Sequence, residues 1–600
     1  MKRTYFTALA LGAALFTTLT GCEDALDKTN LGSMSEDLVF NDSTLAQLNV
    51  DFIYDQNLPN WGGQTTIGLG NVNPSTLSEE TSGDTKYFEG TLTTNDVQDF
   101  GTALNASNNY GKIRNINMFL AGMRKGSVAQ RSKNRLMAQA YFFRAFRYFD
   151  LVRIYGGVPL VLTPLEAVGV EAREKAYLPR NTTTETFAQI VSDLDSAAMF
   201  LPGKWASTND WGRITRGAAA AMKARVLLYQ ASPQFNLSDD ASRWQAAYAA
   251  SVDAKNKLSA AGFALHASYD QLWFQEVNNP EAVFLTGFNT ATGDQSKRNN
   301  SYDNSTRPRY TGTGGGSNQP TWDLVKAYPM LDGKKPTEAG RYTFNTQLFY
   351  KNRDPRFAKT IAYNGATWPL NGNTSYKIWT YFQTNGTTST EQTASNTGFY
   401  TRKAINPTVA AGDAQFSGTD WIEIRYAEVL LNLAEAAAGV NNLTEAYTQL
   451  KAIRQRAGIE PGADGNYGLQ VGMNRQQMFD AILYERQIEF AFEGKRFWDL
   501  RRWRKIESTL NGKRRKGLII KLTAAAPSNF ATTRDGVDLD LAYNTYFTFQ
   551  EKDLEPSRYT NGINWKPEYY FFPIPQSAID NNPQLQQNNG VWGGTFNPLQ

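Results

Sequence analysis

Six charged residues in the last third of the chain have the spacing of a reactive site. Glu485, Glu489 and Glu493 recur at every fourth position, so a helix aligns them along one side, with Arg486, Arg496 and Asp499 nearby. Two carboxylates so placed can act as general acid and general base, as in glycoside hydrolysis. The same pattern also describes a salt-bridge network that pins the last helix pair to a scaffold. Few other chemistries are open. The 600 residues include one cysteine, Cys22, and one histidine, His266. A zinc site needs several such ligands, and a disulfide needs two cysteines. A Ser–His or Cys–His pair has only His266 to use. That residue reads as an ordinary one in a short connection after a helix. No metal and no cofactor are expected.

A second kind of chemistry needs no titrating group. Aromatics make up 13% of the chain, with 13 Trp and 29 Tyr. Between about residues 286 and 419, Gly, Asn, Thr and Ser dominate, yet Tyr302, Trp322, Trp368, Trp379 and Tyr381 are set among them. A disordered stretch is poor in aromatics, so an ordered, loop-rich lobe is expected here. Flat Trp and Tyr rings can cover the apolar face of a sugar ring at little entropic cost. Asn, Gln, Asp and Arg at the edges then hydrogen-bond its hydroxyls. The net charge of +4 is small for this length and gives no sign of nucleic-acid binding.

Helices must position these groups. A short helical pattern covers Thr44–Tyr54. Ala138, Phe142, Ala145, Phe146, Phe149 and Val152 follow helical spacing, and Tyr141, Phe143 and Tyr148 add aromatics on the other flank. That helix should therefore be buried on more than one side, and Gly156, Gly157 and Pro159 stop it. Thr184–Phe200, Arg216–Tyr229 and Trp244–Leu258 read as further helices. Tyr426, Val429, Leu430, Leu433, Ala434 and Ala437 share one helix face, an Asn441-Asn442 turn follows, and Leu443–Ala457 forms the partner, closed by Gly458. A hairpin unit of about 34 residues matches the tetratricopeptide repeat (TPR). Met478–Phe492 and Arg496–Ile506 are the last strong helices, and after Gly512 the tail is mixed and loop-rich.

The N-terminus reads as a targeting segment. Lys2 and Arg3 precede an uncharged run from Thr4 to Thr20, which ends in Leu19-Thr20-Gly21-Cys22. That ending resembles a bacterial lipobox, in which the cysteine becomes a lipidated N-terminus. Each buried acyl methylene would contribute about 0.8 kcal/mol to anchoring. No later segment approaches the roughly 18 consecutive apolar residues of a spanning helix. Glu23, Asp24 and Asp27 resemble the surface-export signal of Bacteroidota-type lipoproteins.

Several stretches together resemble the SusD/RagB family of surface nutrient-binding lipoproteins. They are the Cys22 lipobox, Ala140-Tyr-Phe-Phe-Arg-Ala145 through Phe149-Asp-Leu-Val-Arg-Ile-Tyr-Gly-Gly-Val-Pro-Leu160, Ala224-Arg-Val-Leu-Leu-Tyr229 and Asp354-Pro-Arg-Phe357. Further along come Arg425-Tyr-Ala-Glu-Val-Leu-Leu-Asn-Leu-Ala-Glu-Ala436, Ile453-Arg-Gln-Arg-Ala-Gly458, Phe492-Glu-Gly-Lys-Arg-Phe-Trp-Asp-Leu-Arg-Arg-Trp503 and Tyr570-Phe-Phe-Pro-Ile-Pro575. The resemblance implies a mainly α fold in which four TPR-type helix pairs pack against an irregular lobe with little β structure. The expected layout is a signal peptide at 1–21 and a single domain at 22–600. Within it, about 105–285 and 420–510 form the scaffold, 286–419 the aromatic ligand-binding lobe, and 511–600 a mixed C-terminal segment.

The resemblance also implies a biological role. The protein would capture an oligosaccharide at the outer-membrane surface, without catalysis, for a SusC-type TonB-dependent transporter. A peptide ligand, as in the RagB branch, is the alternative, with a carboxylate glycosidase or a TPR adaptor for proteins behind it. The family's habit of joining the N-terminal loop region to the lobe nominates Trp61, Asp84 and Tyr87, then Tyr302, Trp322, Trp368, Trp379, Tyr381 and Arg402. The Glu485–Asp499 cluster is then expected to be architecture. The basic groups Arg501, Arg502, Arg504, Lys505 and Lys513–Lys516 are expected on a solvated face, a transporter contact or an anionic lipid contact, and not on nucleic acid.

Overall fold

The computed structural model describes residues 36–600, apart from 63–67, 70, 71, 84, 99, 101–107, 167, 291–298, 310–313, 392 and 556–557. The signal peptide, Cys22, its acidic neighbours and Asp84 therefore lie outside the described residues. No helix among the described residues is long and apolar enough to cross a membrane.

The expected helices form with some ends moved by up to four residues: the Met478–Phe492 pattern becomes Arg475–Glu489, which leaves Glu493 past its end, the Arg496–Ile506 pattern stops at Arg502, and Asn109–Lys125 adds one helix. They are α1 (Ser43–Asn57), α2 (Asn109–Lys125), α3 (Gln130–Tyr155), α4 (Thr183–Phe200), α5 (Arg216–Ala231) and α6 (Ala241–Ala260). Then follow α7 (Tyr426–Gly439), α8 (Leu443–Ala457), α9 (Arg475–Glu489) and α10 (Arg496–Arg502). From α2 to α9 each helix packs on the next, which is how a TPR-type stack grows. Local chemistry sets the ends. Thr182 and Glu185 form a capping box on α4, as do Asn474 and Gln477 on α9. Gly458 closes α8 in the left-handed conformation, with φ 84°. From Ala138 to Tyr155 in α3, only Tyr141 escapes full burial, as aromatics on both flanks require. Small residues bring the stack close: Gly439 of α7 lies directly against the Trp244 ring of α6.

Strand content is low. β1 (Ala282–Thr286) pairs antiparallel with β4 (Trp421–Arg425), and β2 (Ile361–Ala362) with β3 (Tyr400–Thr401). β5 (Lys516–Leu522) pairs with β6 (Phe547–Asp553), an antiparallel ladder inside the tail that the sequence patterns left as mixed.

With so little regular structure, the lobe needs large side chains to fill its interior, and this corrects most of the nominated ligand residues. Trp322, Trp379 and Tyr381 are at most 3% exposed and belong to one core with Phe349, Phe399, Phe530 and Phe547. The Trp322 ring lies parallel to Phe399 at 5.9 Å, and its indole N–H donates to Glu551. Trp379 donates to Asp535 at 2.7 Å. Trp368 is buried in a second cluster with Leu370, Ile378 and Tyr400. Tyr87 is buried among Phe497, Trp565 and Tyr569. None of these rings is available as a surface platform. The basic clusters need correction too. Arg501 and Arg502 are fully buried, and Arg501 donates to the carbonyls of Tyr569 and Tyr570.

The carboxylate cluster is architecture. Glu489 of α9 accepts from Arg356, Arg425 and Arg456. Glu493 pairs with Arg425 and Lys403, Glu485 with Arg356 and Arg454, Asp354 with Arg356, and Glu281 with Arg425 and Arg456. Five carboxylates (Glu281, Asp354, Glu485, Glu489 and Glu493) thus face five cations (Arg356, Lys403, Arg425, Arg454 and Arg456), with no side chain more than 5% exposed. His266 joins this assembly only through its backbone N–H, which donates to Glu281.

Burial alone would raise the Glu489 pKa, but the guanidinium groups of Arg456, Arg425 and Arg356 outweigh it and hold the carboxyl well below the ordinary 4.5. A depressed folded-state pKa contributes stability above the unfolded value and loses it as pH falls. Glu489→Gln should therefore destabilise the protein by about 3–5 kcal/mol at neutral pH, because it leaves buried guanidinium groups short of charge. The deficit in chemical denaturation should narrow as pH drops below about 4.5. Equal stability of variant and parent at pH 7 would refute the account. Trp322→Ala should cost about 3–5 kcal/mol by opening a core cavity. A variant that melts like the parent would return Trp322 to the surface.

Candidate functional site

Side-chain contacts from distant elements hold the N-terminal loop against the lobe. Arg515, the residue before β5, donates to the carbonyls of Thr76, Thr81 and Gly83 at 2.7–2.8 Å. Thr321 donates its backbone N–H to Glu80 and its hydroxyl to Glu79, and Thr81 bridges Pro320. Glu79 is fixed in turn by Arg496 and Gln487. Glu80 accepts from the Phe492 N–H at 3.1 Å, and burial pushes its carboxyl up to about 7.

Trp61 and Tyr302 meet where these parts join. Their rings stack at 4.0 Å with 11° between planes, and the Trp61 indole N–H donates to the Thr419 carbonyl at 2.9 Å. Trp421 meets Trp61 edge-on at 5.2 Å, and Trp273 lies 5.9 Å away. Tyr302 is 9% exposed, so most of its ring is spent on this packing, whereas Trp61 is only half-buried. Asn300 binds the segment that leads into β4, pairing its backbone with Ser417 and donating its amide to the carbonyls of Ser417 and Thr419. The backbone of the Trp61 loop packs against the residue next to the ion network. Gly494, at φ 67°, follows Glu493, and a Cβ there would sit 2.6 Å from the Gly62 carbonyl oxygen. The site's aromatic edge is therefore seated on the turn that carries one of the five buried carboxylates.

Arg402 is half-buried, donates to the carbonyls of Ala358 and Thr367, and has its pKa lowered by burial. It borders a cavity shared with Trp368 and Lys359, but at about 40 Å³ this has room for water and not for a sugar ring. A larger recess of about 520 Å³ near Glu89, Asn511 and Asn564 is bounded by the Arg558–Glu89 ion pair. Of the nominated residues, the structure thus joins Trp61 to Tyr302, leaves Arg402 apart and places Tyr87, Trp322, Trp368, Trp379 and Tyr381 in the cores, while Asp84 lies outside the described residues. Sequence reasoning missed Trp205 and Trp211, two half-buried rings in the connection between α4 and α5 that border a cavity of about 220 Å³. Two tryptophans six positions apart in a polar connection were the available signal.

The carboxylates that looked catalytic are taken by guanidinium groups and shielded from solvent, so they present no acid–base pair to a substrate. Among the described residues no group of three or more His, Cys, Asp or Glu is placed to hold a metal ion.

Known proteins share this architecture. A family model described as starch-binding and associating with the outer membrane matches residues 65–228. A SusD-like protein P2 from Formosa agariphila is 24% identical over 510 residues, covering 81% of this chain and 89% of that protein. A solved SusD-like protein from Bacteroides fragilis superposes with a TM-score of 0.71 at 24% identity, covering 93% of this chain and 99% of that one. A second B. fragilis structure, described as a SusD-like carbohydrate-binding protein, gives 0.68 at 24% identity, with 91% and 100% covered. A laminarin-binding SusD-like protein gives 0.58 at 20% identity, with 91% and 99% covered. These structures share the mainly helical fold. The SusD family model matches residues 280–592, more than half of the sequence, and the chain belongs to the SusD family.

Proposed function

We propose that this protein captures oligosaccharides at the outer-membrane surface and passes them, uncleaved, to a SusC-type TonB-dependent transporter, held to the membrane through a lipidated Cys22. The observation that carries the reading is the half-buried Trp61, stacked on Tyr302 where the N-terminal loop meets the lobe of a SusD-family chain. The indole is fixed by its bond to Thr419, so its accessible part is pre-organised for a sugar's C–H face. Support comes from the carbohydrate-binding and laminarin-binding descriptions of similar structures and from the outer-membrane description of the model matching 65–228. The burial of Glu485, Glu489 and Glu493 in ion pairs favours binding over hydrolysis.

Calorimetry against a panel of neutral plant and algal oligosaccharides and a panel of oligopeptides tests the ligand. Heat is expected with at least one glycan, and Trp61→Ala should weaken that binding about tenfold while the Trp61→Phe variant loses less. Heat with peptides alone, or release of reducing ends from a bound glycan, would overturn the reading. For the anchor, Cys22→Ala should move the protein from the membrane to the soluble fraction. Retention of that variant in the membrane would remove lipidation from the account.

A further inference from the structure

Large apolar side chains stand in the open on the side of the scaffold where the described chain begins. Leu48 and Phe52, one turn apart on α1, are 58% and 51% exposed, and Met118 of α2 is 37% exposed. The two helices run antiparallel. Asn41, just before α1, accepts from Ser127, just after α2, and Gln56 near the end of α1 accepts from Asn115 of α2. Phe52 and Met118 each lie one turn nearer the first of these contacts, so they stand at the same level of the pair. On α2 the stripe continues as Arg114, Met118, Ala121 and Lys125, and Arg114 donates to the Met118 sulfur at 3.0 Å. Leu38, 60% exposed, extends the face from the short helix Glu36–Asn41, which packs on both α1 and α2. Asp55 stands exposed at the border, Asp42 is spent on capping α1, and Glu36 and Asp37 precede Leu38 in the sequence. Single exposed apolar residues are ordinary, but four on one continuous face mark a surface that meets something apolar.

The course of the chain says what that is. Cys22 lies 14 residues before Glu36 (36 − 22). However it is arranged, such a segment reaches at most about 50 Å. A folded body of this length is roughly 60 Å across and about 100 Å half-way round. A lipid on Cys22 therefore cannot lay the opposite side of the body on the membrane, and the root of the segment belongs to the apolar face itself. That root is firmly seated: a Cβ on Gly122 would sit 2.1 Å from the Phe40 ring, and one on Gly126 2.0 Å from the Phe40 carbonyl oxygen.

We propose that this face lies on the lipid surface that holds the anchor. Leu38, Leu48, Phe52 and Met118 enter the headgroup–acyl boundary, and the Arg114 and Lys125 stems carry their charges back to the headgroups. The contact sets the orientation of the body on the membrane, which an anchor at one point does not. The inference rests on the reading of Cys22 as the lipidated residue.

Nitroxide labelling of the lipidated full chain, reconstituted into vesicles of phosphatidylcholine and phosphatidylglycerol, tests it. The label is placed at one introduced cysteine at a time: Leu48→Cys, Phe52→Cys, Met118→Cys or, as a control, Val471→Cys. Val471 is 70% exposed in the α8–α9 connection, at the other end of the helical stack. A lipidated Cys22 has no free thiol and takes no label. The labels on α1 and α2 should collide with oxygen in preference to a water-soluble nickel chelate, at a depth of about 5–10 Å into the headgroup–acyl boundary. The Val471→Cys label should stay open to the chelate. If all three test labels are as open to the chelate as the control while the chain floats with the vesicles, the face does not touch lipid, and the anchor reading survives. Dipolar broadening between labels on two molecules, with no gain in oxygen contact, would put a second copy of the chain on this face and refute the lipid contact. A parent chain whose Cys22 itself takes the label carries no lipid there, which overturns the anchor reading and this inference with it.

Discussion

The buried network around Arg425 is the constraint on which the rest of the structure depends. Its five carboxylates and five cations come from the segment before β1, the lobe, the end of β4, α8, α9 and the turn after α9. Each charge taken from water costs several kcal/mol, and only near-complete pairing offsets that. Balance is therefore a condition of folding. The lobe must bring Asp354, Arg356 and Lys403 to the scaffold in register, because Arg425, Arg454 and Arg456 alone cannot balance Glu281, Glu485, Glu489 and Glu493. A solvent-exposed network would leave lobe and scaffold loosely joined; this one makes them a single body.

That tie explains how a lobe with so few strands holds its shape. Two-residue ladders such as β2–β3 contribute little cooperative order. The interior is filled instead by Trp322, Trp379, Tyr381, Phe349 and Phe399, whose ring area supplies what regular packing would otherwise give. Tryptophan is well suited to this because its N–H can reach a polar partner at the edge of the core. Trp322 reaches Glu551 and Trp379 reaches Asp535 in this way.

The same chemistry limits what could be read from the sequence. Helical periodicity made α7, α8 and the Gly458 cap legible, since a buried helix face repeats in one dimension. The spacing of Glu485, Glu489 and Glu493 made a charge network legible, and the family resemblance favoured architecture over catalysis. The lobe's aromatics were legible as a type and not by location. A tryptophan in a polar, glycine-rich stretch has the same sequence signature whether it covers a ligand or a core, and no period marks which face is inside. The β5–β6 ladder was missed because its halves are separated by more than twenty residues of turns and short helical segments. Arg515 looked like one charge in a basic run, yet it gathers four carbonyls of the N-terminal loop, a role set by tertiary placement alone.

The scaffold and the candidate site are coupled by the turn after α9. Phe492 adopts φ 62°, a strained value for a residue with a Cβ, and its N–H is held by Glu80 of the N-terminal loop. Glu493 next to it enters the network, and Gly494 packs against the carbonyl of Gly62, the neighbour of Trp61. Strain of this kind persists only when the surroundings over-determine it, and here ion pairs hold one side of the turn and the loop holds the other. The position of Trp61 is thus inherited from the buried charges through three consecutive residues. If the proposed sugar contact forms there, a surface fixed in this way would lose little freedom on binding, which is where a site built on a single half-exposed ring most needs help. The carboxylates that resembled a catalytic pair thus bear on the proposed site through position.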